Sequence, residues 1–116
     1  MTTGLKTIIF PVTDIKAATA RFQALLGVAP VVDQPYYVQF QAGGQDVGLD
    51  PHGHKHGATP YWHVTDIKAS LDAMLAAGAE SVQDVKEVGP GRLIAAVKDP
   101  DGNIIGLLQD PEPGDS

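Results

Sequence analysis

The chain reads as an α+β protein built from two tandem βαβββ modules. Three observations predict this. Val12-Thr13-Asp14-Ile15-Lys16-Ala17 returns letter for letter as Val64-Thr65-Asp66-Ile67-Lys68-Ala69, at an offset of 52 residues in a chain of 116. A short apolar run precedes each copy, and a helical pattern ending at glycine (Gly27, Gly78) follows it. A dense turn signal, Asp99-Pro100-Asp101-Gly102-Asn103, leads into a last apolar run. Self-similarity at a fixed offset marks a repeated architecture. Two such modules supply eight strands and two helices. They are expected to form curved mixed or antiparallel sheets around a cleft with the helices outside, and the active site is expected where the copies face each other.

The elements follow in order. Leu5–Phe10 is rich in β-branched residues and reads as a strand, which Pro11 ends. Asp14 suits a helix N-cap, because its carboxylate can accept a bond from a first-turn N–H. Ile15, Ala18, Phe22, Leu25 and Leu26 follow at helical spacing, and Gly27 supplies the stop. Ala29–Asp33 reads as a short strand, and Tyr36–Gln41 alternates with Tyr36, Val38 and Phe40 as one face. Ala42-Gly43-Gly44-Gln45 is a hairpin turn before the strand Asp46–Asp50. In the second copy Thr59–His63 is a strand. Asp66 caps a helix carrying Ile67, Leu71, Met74 and Leu75, and Gly78 closes it. Strands are expected within Ala79–Val88, at Arg92–Lys98 and at Ile104–Gln109. The whole is one domain by length, with module one at about 4–51 and module two at about 58–111.

Composition excludes several function classes. There is no cysteine, which removes disulfides, thiolate metal sites and cysteine nucleophiles. The net charge of −6 argues against a nucleic-acid surface, which is usually a basic patch. No apolar run approaches the ~20 residues of a membrane span. The opening MTTGLKTIIF lacks a signal-peptide layout, so the cytoplasm is the expected compartment. Ser70, Ser81 and Ser116 lack a nucleophile-elbow context, and no glycine-rich loop opens a helix to cradle phosphate.

The doubled β-α-β-β-β order, the paired V-x-D-[IL] helix starts and the DPDGN turn are similar to the vicinal oxygen chelate superfamily. That group includes glyoxalase I, extradiol dioxygenases, fosfomycin-resistance enzymes and bleomycin-resistance proteins. The likeness spans about residues 4–110, and DPDGN is its most specific piece. It implies paired βαβββ modules, a homodimer, and in the enzymes a divalent metal held by His, Gln or Glu on the first and last strands of each module. Carried over one at a time, those positions fall here on Thr7, Thr59, Gly106 and Gly48. The first two lie seven residues before Asp14 and Asp66; Gly106 lies four after Gly102, and Gly48 follows from the Gly-Leu echo. None is an imidazole or carboxylate. The chain therefore resembles the bleomycin-resistance branch, whose members bind their ligand without metal. Two glycines in place of ligands would widen the cleft floor for a bulkier organic molecule.

Individual residues carry competing expectations. His52, His54 and His56 form H-x-H-x-H in the connector: an adventitious metal site, or a solvated loop. His63 alternates with Thr59 and Tyr61. It serves as a general base or ligand-orienting group, or is a hydrogen-bonded histidine at a sheet edge. Tyr36, Tyr37 and Phe40 lie on the third strand, where one alternating set, Tyr36 with Val38 and Phe40, lines a cleft and stacks on a planar ligand, or simply fills the core. Arg92 meets a ligand carboxylate or phosphate, or is solvated. Trp62, alternating with His63, is expected to pack under a helix.

The resulting reading is a metal-independent binder of a small organic molecule, drug or metabolite, with no cofactor. Its ligand residues are Tyr36, Val38, Phe40, Thr59, Tyr61, His63 and Arg92. The alternatives are a metal-dependent lyase or dioxygenase using His63 with the connector histidines, and a non-catalytic remnant whose cleft its own side chains plug.

Overall fold

The computed structural model describes residues 2–52 and 57–111. The elements run β1 (Thr2–Pro11), α1 (Ile15–Leu26), β2 (Val32–Gln34), β3 (Tyr37–Ala42), β4 (Gln45–Asp50), β5 (Thr59–Val64), α2 (Ile67–Ala76), β6 (Glu80–Glu87), β7 (Leu93–Lys98) and β8 (Ile104–Gln109). This is the predicted βαβββ order, twice. Lys6–Thr59 form one compact unit; the described residues from Pro60 onward, with Thr2–Leu5, form the other.

In module one the strand order is β2-β3-β4-β1. The β2–β3 and β3–β4 pairs are antiparallel, and β1–β4 is parallel, with Ile9 opposite Gly48. Asp14 accepts a bond from the N–H of Ala17 at 3.1 Å, and Gly27 ends α1 in the left-handed region (φ 74°). An N-cap of this kind contributes about 1 kcal/mol. Ala18, Val38, Phe40 and Leu49 form the core, with Phe10, Val12, Ile15, Phe22, Leu26 and Val47 packed on it. The rings of Phe10 and Phe22 lie 5.0 Å apart, tilted by 47°.

Module two repeats the plan with order β5-β8-β7-β6. Here β5–β8 is parallel, with Tyr61 opposite Gly106 and His63 opposite Leu108, while β7–β8 and β6–β7 are antiparallel. Val64, Ile67, Leu71, Ala95, Val97 and Leu107 make its core. Asp66 caps α2 through Ala69 at 3.1 Å, and Gln109 Oε1 accepts from the N–H of Ile67 at 2.7 Å, tying the last strand to the helix start. The hydroxyls of Thr2 and Thr3 donate to the His63 carbonyl at 2.9 and 3.3 Å.

Three local expectations are corrected. The strand expected at Ala29–Asp33 begins only at Val32, because Pro30 has no N–H to give; pairing with β3 opens at Val31, whose N–H reaches the Gln39 carbonyl at 2.8 Å. Leu25 is exposed, since the buried stripe of α1 runs through Ile15, Ala18, Phe22 and Leu26. Trp62 shares a face with Val64 but stays 38% exposed, because the core stops at Val64.

Candidate functional site

Strand alternation sorts the candidates into two faces. In module one Val38 and Phe40 point under α1 and are completely buried in the core. Of the two expectations for them, filling the core is the one that matches this placement. Tyr36 sits in the turn before β3 and is 64% exposed. The face of β3 away from α1 is instead Tyr37, Gln39 and Gln41. The pattern Y-V-Q-F-Q already separates these from the apolar pair.

The positions aligned with metal ligands all lie on the faces away from the helices. Thr7 and Thr59 are buried there. Gly48 and Gly106 are buried too, but neither opens a space. A Cβ at Gly48 would overlap the Tyr37 hydroxyl, with Cζ only 2.9 Å away. A Cβ at Gly106 would stand 2.5, 2.7 and 2.8 Å from Cδ1, Cε1 and Cγ of Tyr61. The expected widening of the floor is thus reversed: each glycine admits a tyrosine ring. In module two Ala96 pairs with Gly106 on its other side, so Tyr61 lies over a strip of minimal side chains.

Farther along the same face of module two, three of the polar residues converge. His63 Nδ1 lies 3.2 Å from Asp110 Oδ2. Arg92 Nε donates to Asp110 Oδ1 at 3.0 Å, and Arg92 Nη2 lies 2.9 Å from the same oxygen. The His63 side chain is 11% exposed, whereas Arg92 and Asp110 are 36% and 46% exposed. Register explains the meeting: Leu93 pairs with Gln109, so Arg92 and Asp110 fall opposite one another one step on, and His63 pairs with Leu108 from the other side. The β6–β7 loop closes through the N–H of Val88 to the Arg92 carbonyl at 2.8 Å. Gly91 (φ 76°) brings that loop against Pro111; a Cβ there would come within 3.1 Å of the proline ring. Val88, Gly89, Pro90, Arg92, Asp110 and Pro111 line a hollow of about 370 Å³.

Sequence reasoning singled out His63 and Arg92 but missed Asp110. Among the connector histidines, His52 is exposed and its N–H donates to Asp50 Oδ1 at 2.7 Å. His54 and His56 lie outside the described residues. Among the described residues no three His, Asp or Glu side chains group as a metal site. Every buried side-chain nitrogen or oxygen among them has a hydrogen-bond partner.

The repeat, the twin modules and the DPDGN turn define a class, and comparison with known proteins agrees with it. The model of the Glyoxalase/Bleomycin resistance protein/Dioxygenase superfamily matches residues 4–107, and the chain belongs to that superfamily. No curated relative matches it. Among solved structures it is similar to a glyoxalase/bleomycin resistance protein/dioxygenase superfamily member from Vibrio splendidus 12B01 (21% identity, 90% of this chain and 97% of that one, TM-score 0.67). It is also similar to methylmalonyl-CoA epimerase from Mycobacterium tuberculosis (18% identity, 97% and 90% covered, TM-score 0.71). The Mn(II)-bound glyoxalase from Novosphingobium aromaticivorans matches at 18% identity over 94% of this chain and 39% of that one, with TM-score 0.72. At these identities the likeness is one of fold.

Proposed function

We propose that this protein binds a small organic molecule and does so without a divalent metal at the superfamily's ligand positions. The observation that carries the reading is the pair of tyrosines over Gly48 and Gly106. Zinc, manganese and iron sites are built from imidazole and carboxylate donors. Here two of the four positions hold only threonine hydroxyls, and two have no side chain and no room for one. The residues present do not fit the metal. A member of this fold without that chemistry still offers buried polar groups, aromatic rings and a small hollow, which suit sequestration of a drug or metabolite. Pairing into a homodimer belongs to the same reading, with Trp62 among the exposed apolar side chains available for burial.

The test is elemental analysis of tag-free protein before and after mild chelation, since a His-tag would add to the connector histidines. Substoichiometric metal with unchanged folding supports the binder. About one metal per chain that resists chelation refutes it.

One contact favours a second reading. The Asp110 carboxylate fixes the orientation of His63, as the partner of a general base does. A lyase using His63 would lose turnover on His63→Gln with the fold intact; a binder would lose affinity alone.

A further inference from the structure

We infer that the hollow beside Arg92 is an anion subsite, and that it takes the carboxylate of a small organic monoanion. The inference rests on the binder reading above and names its ligand class. It starts from the five N–H bonds of an arginine. Arg92 gives its side-on edge, Nε and Nη2, to one oxygen of Asp110. Its end-on edge, one N–H on Nη1 and one on Nη2, has no partner among the described residues. Two parallel N–H bonds in one plane match a carboxylate.

An ordinary surface Arg–Asp pair holds its geometry weakly and contributes about 0–1 kcal/mol. This one is backed differently. The other oxygen of Asp110 is taken by His63, whose side chain is nearly buried. Asp110 is therefore held from behind, and Arg92 in turn is held by Asp110, with its end-on edge preorganised for a second anion. Preorganisation of this kind raises affinity by lowering the ordering cost of binding.

The surroundings select the ligand. Val88, Pro90 and Pro111 supply apolar walls, and a volume of about 370 Å³ leaves room for a body of at least one ring. Asp110 already offsets the charge of Arg92, which favours a singly charged group over a dianion such as phosphate. Gly89 lines the hollow with bare backbone.

Benzoate is the probe, with benzamide as its neutral isostere and inorganic phosphate as the dianion. Binding is followed by amide shifts of Gly89, Gly91 and Arg92 in two-dimensional NMR, which also reports folding of each variant. Benzoate is expected to bind at least about tenfold more tightly than benzamide, the effect of one charge-assisted pair. Arg92→Gln is expected to erase that preference, and Arg92→Lys to keep the charge but lose most of it, because ammonium lacks the planar fork. Equal binding of benzoate and benzamide overturns the anion subsite while leaving a small-molecule binder. Phosphate binding as well as benzoate overturns the monoanion assignment. No shift with any probe also overturns the subsite, and the metal analysis then decides separately whether the binder reading stands.

Discussion

Gly106→Ala tests the tyrosine-for-ligand exchange most directly. The added methyl would sit 2.5 Å from Tyr61 Cδ1 and 2.8 Å from Cγ, against an ordinary carbon–carbon contact of about 3.5–4.0 Å. The shortfall is about 1 Å, and it falls at the root of the ring rather than its tip. Relief therefore requires turning Tyr61 about χ1, where about 30° off a rotamer costs about 0.5–1.5 kcal/mol, or shifting β5 against β8. Overpacking of this kind costs about 1–3 kcal/mol in total. At about 4 °C per kcal/mol for a domain of this size, Tm should fall by about 4–12 °C. Gly106 has no positive φ, so the backbone accepts alanine and the cost belongs to the ring.

The assay is a double-mutant cycle by urea denaturation, with Tyr61→Ala as the second change. In that background the methyl has room, and its cost should fall below about 0.5 kcal/mol, giving a coupling of at least about 0.5 kcal/mol. Gly48→Ala is the internal comparison. There the nearest atom is the hydroxyl at the far end of Tyr37, which can swing aside, so its cost should be smaller, and smaller again with Tyr37→Phe. An unchanged Tm for Gly106→Ala, or the same loss with and without the Tyr61 ring, would refute the claim that this glycine exists to admit the tyrosine.

Two further outcomes are expected. Gln109→Ala removes the acceptor of the Ile67 N–H and should lower the urea midpoint by an amount equivalent to about 1 kcal/mol, while Gln41→Ala, on an exposed strand position, should leave it unchanged. Asp99 accepts from the Asn103 side-chain amide at 3.0 Å and from its N–H at 2.8 Å, and also from the N–H of Asp101; these bonds hold its carboxyl below the ordinary 3.8. A depressed folded-state pKa contributes stability that is present above 3.8 and lost as pH falls through the folded value. The Tm gap between the native protein and Asp99→Ala should therefore narrow as pH is lowered past 3.8, and a gap constant with pH would count against this account.

Much of the fold was legible because its signals are local. The Asp14 and Asp66 caps, the Gly27 stop and the Asp99–Asn103 turn each act within four residues, and each stands where the sequence put it. The last strand, Ile104–Gln109, matches residue for residue. Faces were harder. The alternation that groups Val38 with Phe40 holds, but of the two expectations for them the core is the one that matches their placement, and the glutamines of β3 already marked the other face.

The site was less legible because it depends on register, which is non-local. Arg92 and Asp110 are 18 residues apart and His63 lies on a third strand; only the β5–β8 and β7–β8 pairings bring them together. A glycine inside a strand is ambiguous for the same reason. It marks either vacant space or the close approach of another group. Read alone, Gly48 and Gly106 suggested an enlarged floor. The tyrosine that decides between the two meanings comes from a different strand in each module: β3 for Gly48, β5 for Gly106. The modules therefore reach the same replacement by unlike routes, through the hydroxyl tip of one ring and the root of the other. That difference is why the two alanine substitutions should not cost the same.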